Sequence, residues 1–435
     1  MFSMIQLKSR ISTAQAQNEK PGKQVVLAGW VQDIKVLGKL AFAKLRDREG
    51  EIQVVFFPDK FKKFNDLKKI TRESVVSIKG KVQKSKLKAG GNEILATDLD
   101  EISLAQTPLP IEFLGKGIET DLSKRLDYRY LDIRNRKIRA IFEVQSEICR
   151  AYREFFTERG FTEVWLPSII SSAAEGGTEL FPAKYFGKDV YLAQSPQLYK
   201  QMLAITDLEK IFSIAPIWRA EPHDTHKHLN ESRQMDIEVA FATQEDVIKY
   251  LDECVKHIVK SVKTNCTKQI ELLNPDLKVP TTKSLSYEEA IRELTKSGFK
   301  IKHGEDISSE AEHKLAELFG KQTLIHVHSW PTKIKPFYIM PKDPKVSCGF
   351  DTEYGGVELA SGGQRVHIPN LLTKQIIAKG LSPKSFKFYI DAFKYGACPH
   401  SGWSIGLERL TMIITGQANI REAVLFPRDS TRVTP

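Results

Sequence analysis

The sequence predicts an α+β chain of two domains: a small β-barrel first, then a larger antiparallel sheet flanked by helices. Three observations carry that expectation. The chain has 435 residues, too many for one ordinary core. Its first hundred residues read as five short strands with one helical interruption. The remainder mixes a long helical repeat with alternating strands that return toward the end. Hydrophobic content of 41% and a charged fraction of 27% are values of a folded globular protein.

The elements follow in order. QVVLAGWVQDI, LAFAKLRDREG and EIQVVFFP, within residues 24–58, read as strands, with turns at LGK and DREG. KFKKFNDLKKI, within 59–72, reads as a basic helix. SVVSIKGKVQKS and NEILATDLDEISLA read as two more strands. Five strands with a helix between the third and fourth match an OB-fold, a barrel that often binds single-stranded nucleic acid. Other small barrels share the strand count. The expected domain spans 1–105. QTPLPIEFLGKG is Pro- and Gly-punctuated, so 106–125 reads as a hinge.

The second domain is expected over 126–435. A helix from Arg136 to about Arg159 repeats Ile138, Ile141, Phe142, Ile148, Tyr152, Phe155 and Phe156 at helical spacing. Gly160 suits its C-terminal turn, and FTEVWLP follows as a strand. Residues from about 245 to 320 read as a mostly helical insertion. TLIHVHSW, KPFYIMP, GFDTEY and VELASGGQRVH then read as strands. KSFKFYIDAFKYG and GWSIGLERLTMIITG close the chain as amphipathic helix and glycine-spaced segment.

Composition narrows the function classes. Lys+Arg exceed Asp+Glu by 65 − 54, or +11. That balance suits a polyanionic partner, and equally a lysine-rich solvated surface. No apolar run is long enough for a membrane span. MFSMIQLKSR lacks the apolar stretch of a signal peptide. Five scattered cysteines without a CxxC pair point to a reduced, cytoplasmic chain without structural zinc. There is no Walker A sequence, RNP signature or internal repeat.

Three separated patches carry chemistry. In IWRAEPHDTHKHLNESRQMDIEVAF, Arg219 and Glu221 stand two apart on an expected strand and so on one face. The arginine's planar fork can grip a phosphate. Alone, the pair reads first as a surface cross-strand ion pair. The histidines at 223, 226 and 228 belong to a basic loop near phosphates rather than to a metal site. In VELASGGQRVH, Glu358 and Ser361 are hard oxygen donors of the kind magnesium takes beside phosphates. Arg365 is a bidentate socket for a carboxylate. In GWSIGLERL, glycines allow close backbone approach and Arg409 opens a helix.

In chain order these patches resemble motifs 1, 2 and 3 of the class II aminoacyl-tRNA synthetases: a long helix ending in strand and Pro167, then RxE with its loop and strand, then the segment bearing Arg409. The resemblance runs from about residue 22 to Pro435. The barrel ahead of RLDYRYLDIRN points to the aspartate/asparagine/lysine subgroup. LAQSPQLYKQM, FDTEYGGVELASGGQRVH and LFPRDSTRVTP resemble aspartyl-tRNA synthetases of the archaeal and eukaryotic type. PRDSTR and MDIEVAF favour these over the sister asparaginyl enzymes.

The resemblance implies an aminoacyl-tRNA ligase that activates L-aspartate with ATP and magnesium, then charges tRNA(Asp). Whether tRNA(Asn) is also charged stays open, turning on Gln32 and on the SKLKAGG loop with Ala89. Arg219, Glu221, Lys227, His228, Leu229, Glu358, Gly406, Leu407, Glu408 and Arg409 are implied to bind ATP. Arg219, Glu221 and Arg409 are implied as catalytic. Glu175, Gln197, Lys200, Arg219, Ser361 and Arg365 are implied to hold aspartate, with Asp236 balancing charge; asparagine would leave Arg365 and Lys200 underpaired. Glu358 and Ser361 are implied to hold Mg2+. Relatives often carry an adenine-stacking aromatic near Ser232 or Arg233; here neither is aromatic, what stacks on adenine stays open, and the planar Arg233 guanidinium is one candidate. Phe42, Gln53, Glu93 and Gln32 are implied to read the anticodon. A homodimer through motif 1 completes the expectation.

Overall fold

The computed structural model describes residues 7–86, 90–114, 120–171, 180–222 and 225–435. The chain forms two compact units, one ending at Pro110 and one beginning at Ile111.

The first unit is a closed barrel of β1 (Gln24–Leu37), β2 (Leu40–Arg46), β3 (Glu51–Phe56), β4 (Val75–Lys84) and β5 (Asn92–Ser103). Their order is β1-β2-β3-β5-β4, and the parallel pairing of β3 with β5 belongs to that closure. Alternation sorts the strands. Along β2, Ala41, Ala43 and Leu45 are buried, so Phe42, Lys44 and Arg46 face outward. The DREG turn is held by Asp47, whose carboxylate accepts the Glu49 and Gly50 N–H groups at 2.8 and 3.1 Å. The expected helix within 59–72 is instead a single 3₁₀ segment, Phe64–Lys69. Phe61, Leu67 and Ile70 plug the barrel. The three-residue step from Leu67 to Ile70 suits a 3₁₀ turn, and the crowd of lysines disfavours a longer helix.

The second unit is built on eight described strands: β6 (Thr162–Glu163), β10 (Lys210–Trp218), β11 (Glu231–Ala240), β12 (Thr281–Ser286), β13 (Thr323–His328), β14 (Gly349–Tyr354), β15 (Val357–Gln364) and β16 (His400–Gly406). Their order is β12-β13-β14-β15-β16-β11-β10-β6, antiparallel except at the two outer pairings. β7 (Ile169–Ile170), β8 (Pro182–Tyr185) and β9 (Lys188–Leu192) form a separate small sheet.

One face of the large sheet packs on the Arg136–Thr157, Gln244–Asn265 and Leu407–Thr415 helices. Along β11, Met235, Ile237 and Val239 join that core. Period-2 alternation therefore turns Ser232, Gln234, Asp236 and Glu238 to the opposite face. The Arg136–Thr157 helix ends as its sequence predicts. Gly160 is left-handed at φ 75°, and Phe161 N–H closes on the Phe156 carbonyl at 3.1 Å.

Two expectations change. KPFYIMP is no strand and makes only isolated bridges at Ile339 and Pro341. Pro336 and Pro341 lack the N–H a ladder needs. Within 245–320, the Gln244–Asn265 helix lies in the main core and β12 extends the sheet edge. The Tyr287–Lys296 and Ser309–Phe319 helices form their own apolar cluster with Trp330.

Candidate active site

The β10–β11 hairpin places the first functional pair. β10 ends at Trp218, so Arg219 and Glu221 lie just beyond the strand rather than on it. Their spacing is kept by Asn230, which sequence reading passed over. Its side-chain amide donates to the Arg219 and Glu221 carbonyls at 2.7 and 2.9 Å. Arg219 N–H returns to the Asn230 carbonyl at 3.0 Å. Arg219 and Glu221 side chains stand 3.9 Å apart, a loose pair facing a cleft rather than a tight surface bridge.

That cleft holds about 280 Å³. Arg219, Glu221, Lys227, His228, Leu229, Glu358, Ser361, Gly406, Glu408 and Arg409 all line it, from three distant stretches of sequence. Leu407, expected beside them, is in the helical core instead. Ser232, Gln234 and Ser404 complete the floor. The Gln234 Oε1, Ser404 Oγ and Arg219 Nε atoms are buried without a protein partner. Buried polar atoms are costly when unpaired, so this floor suits a polar ligand.

Electrostatics shape the cleft further. Arg409 donates to the Glu358 carbonyl at 2.7 Å, which fixes the β15 backbone beneath it. Burial and the neighbouring Asp351 push the Glu358 carboxyl up, against the pull of Arg409 and Lys335. Burial likewise pushes Glu408 up to about 7, although its carboxylate accepts the Arg233 backbone N–H. Lys227 is ion-paired at 2.7 Å with Glu312, a buried acid from the Ser309–Phe319 helix with no local sequence signal.

Next to the cleft lies a buried quartet of charge. Lys200, 1% exposed, pairs with Asp236 at 2.6 Å and lies 3.6 Å from Glu238. Arg365, 2% exposed, holds Glu238 through Nε and Nη2 at 2.8 and 3.2 Å. The expectation that asparagine would leave Arg365 and Lys200 underpaired changes here, because each cation already has a carboxylate partner. Glu238, absent from the expected site, stands two residues after Asp236 on one strand and so on one face, a spacing visible in the sequence. Gly402 makes room for it. A Cβ there would meet Glu238 Oε2 and the Ile237 carbonyl at 2.3 Å. Burial opposes the charge on Glu238, but Arg365 and Lys200 hold its carboxyl below the usual range. Burial raises Asp236 despite Lys200. Gln197 is buried alongside and donates to Gln201 at 2.8 Å.

Comparison with known proteins fits this arrangement. Residues 121–430 match the model for tRNA synthetases class II (D, K and N), and residues 25–102 match the OB-fold nucleic acid binding domain. The chain belongs to the class II tRNA synthetases. It is 46% identical over 429 residues to an aspartate--tRNA(Asp/Asn) ligase of Methanopyrus kandleri, covering 97% of this chain and 99% of the relative. It is 44% identical over 427 residues to an aspartate--tRNA(Asp) ligase of Pyrococcus horikoshii, covering 96% and 97%. The structure of Pyrococcus horikoshii asparaginyl-tRNA synthetase with asparaginyl-adenylate superposes with a TM-score of 0.92 at 33% identity, covering 98% and 99%.

Within this synthetase one further expectation changes. Arg233 points to the helix-packed face, and its side chain pairs with Glu231 at 3.1 Å. It sends only its backbone N–H toward the site, while Ser232 is the residue on the cleft. Strand alternation is the reason. Glu175 and Ala89 lie outside the described residues.

The synthetase's barrel presents a second concavity of about 630 Å³, lined by Phe42, Gln53, Lys35 and Lys44 among others. Phe42 is half-buried on the outer face, not in the barrel core. Gln53 donates to Glu93 at 2.7 Å, and Glu93 is buried behind it. Gln32 sits at a β1 bulge between Val31 and Asp33, with its Oε1 buried and without a partner.

Proposed function

We propose that this synthetase is an aspartate–tRNA ligase. The observation that carries the reading is Arg365. Glu238 occupies one edge of its guanidinium. The second edge of a guanidinium presents two parallel donors, which a carboxylate matches with two acceptors. An amide has one acceptor and would turn its own N–H groups against the other donor. Aspartate is therefore preferred to asparagine by hydrogen-bond pattern, although the quartet already balances its own charge. The names of the curated relatives support the same choice. Asparaginyl-tRNA synthetase is the second reading, favoured by the structural likeness.

In the proposed first step an α-carboxylate oxygen of aspartate attacks the α-phosphorus of ATP. A P–O bond forms and the bond to the departing pyrophosphate breaks. Two anions must approach, so fixed cations lower the barrier. Arg219 neutralises the α-phosphate, and Arg409 holds the far end of the polyphosphate. Lys227 and His228 cover the nucleotide, and Glu221 orients Arg219. Glu175, Gln197, Lys200, Arg365 and Ser361 hold the amino acid. Glu358 and Ser361 suit a magnesium ion that arrives with ATP, because a half-buried carboxylate and a hydroxyl line the cleft. Bound there, it would neutralise phosphate charge.

In the second step the 3′-hydroxyl of the terminal tRNA adenosine attacks the adenylate carbonyl, and AMP leaves. Phe42 and Gln53 read the anticodon from the barrel concavity, supported by Glu93 behind Gln53 and by Gln32 on β1. A second copy of the chain covers exposed Trp165 and Phe186, 86% and 92% accessible, and the enzyme works in the cytoplasm. Among the described residues no helix is long and apolar enough to cross a membrane. Charging of tRNA(Asp) and tRNA(Asn) transcripts with labelled aspartate tests the reading. Aspartyl-tRNA(Asp) is expected; product on tRNA(Asn) as well adds the second substrate, and labelled asparagine accepted in place of aspartate overturns it.

A further inference from the structure

The loop Thr225–Asn230 carries Lys227, His228 and Leu229 to the cleft. Asn230 ties it to the hairpin and Lys227 to Glu312, and a further set of anchors comes from the end of the chain. Arg421 donates through Nη1 to the Thr225 carbonyl at 3.0 Å. Its Nε donates to Asp429 at 2.7 Å, and Arg421 is only 8% exposed. Ile420 N–H donates to the His226 carbonyl at 2.8 Å. Asn419 Nδ2 meets His226 Nδ1 at 3.2 Å. Asn230 N–H donates to the Arg428 carbonyl at 2.9 Å. Leu229 packs into a small apolar cluster with Ile420, Ala423 and Val424. Segment 419–429 thus grips the loop by backbone, side chain and apolar contact together.

We propose that Arg421 is a positioning residue for nucleotide binding: with Asp429 it locks the Thr225–Leu229 loop so that Lys227 and His228 address the cleft. The geometry needs a guanidinium. Its planar fork spans a carboxylate on one side and a carbonyl on the other, which one ammonium does not. Buried pairing with Asp429 keeps the fork from swinging away. Arg421 touches no reacting atom in this scheme and acts through the loop. The inference rests on the reading of the cleft as the ATP site.

The test uses the full-length chain with Arg421→Ala, Arg421→Lys and Asp429→Asn, each checked by thermal melting. ATP affinity is measured directly by calorimetry, and pyrophosphate exchange gives KM for ATP and for aspartate. Arg421→Ala is expected to weaken ATP binding about tenfold or more, the scale of one lost hydrogen bond to a charged group. KM for aspartate stays within twofold, about the error of such a comparison. Arg421→Lys recovers little, and Asp429→Asn falls between. Should Arg421→Ala fail to fold, Asp429→Asn alone carries the same comparison. Unchanged ATP affinity, or equal losses for ATP and aspartate with a lowered melting point, overturns the proposal. Normal ATP binding by wild type without exchange on any amino acid defeats the functional reading and leaves the positioning role measurable.

Discussion

On the proposed reading specificity turns on Arg365, whose removal has two consequences. Arg365→Leu takes away the socket and also leaves Glu238 buried without its partner. Breaking such a pair costs about 3–5 kcal/mol of stability. Loss of aspartate-dependent exchange together with a lowered denaturation midpoint is therefore expected. Arg365→Lys separates the two effects: charge beside Glu238 is kept, the second edge is lost, and exchange falls while the midpoint holds. Normal exchange in either variant would contradict the assignment. Glu408 gives a pH signature. Burial pushes its carboxyl up to about 7 in the folded chain. In the unfolded chain it ionises near the usual glutamate value of about 4.3. Between these values the folded state holds a proton that the unfolded state has released, so stability falls as pH rises and levels off above about 7. Glu408→Gln keeps an acceptor for the Arg233 N–H and removes that slope. Against wild type it should gain up to about 3 kcal/mol at pH 8 and little at pH 5 in urea unfolding. Parallel curves would contradict the burial account.

At the scale of elements, the β-barrel and the β10–β11 hairpin were legible because both depend on local period and turn chemistry. Asp47 in DREG and Gly160 after the long helix do what their residue types suggest. What stayed hidden depends on distance along the chain. Glu312 reaches Lys227 from a helix 85 positions away, and Arg421 reaches Thr225 across 196. No local pattern encodes such a meeting. Arg233 was misplaced for a simpler reason: one position of strand register separates the cleft from the core. The same alternation, read correctly, turns Phe42 outward into the barrel concavity. Stacking of one base on an aromatic is worth roughly 1–3 kcal/mol. Phe42→Ala should raise KM for tRNA about tenfold while sparing adenylate formation; equal losses in both would mean that Phe42 supports the barrel.

At the scale of the whole molecule, the large unit alone carries every described residue of the quartet and of the nucleotide cleft. The barrel carries the concavity lined by Phe42 and Gln53, which the proposal assigns to tRNA. Amino-acid activation should therefore proceed without tRNA, whereas charging draws on both units and on the +11 net charge. The account's central claim is that the Arg365 edge selects a carboxylate side chain. The measurement is ATP–pyrophosphate exchange on the purified full-length chain, without tRNA, with aspartate and asparagine supplied in turn. Exchange with aspartate and none above background with asparagine is the predicted result. Exchange with asparagine alone would contradict it and place the chain with the sister enzyme.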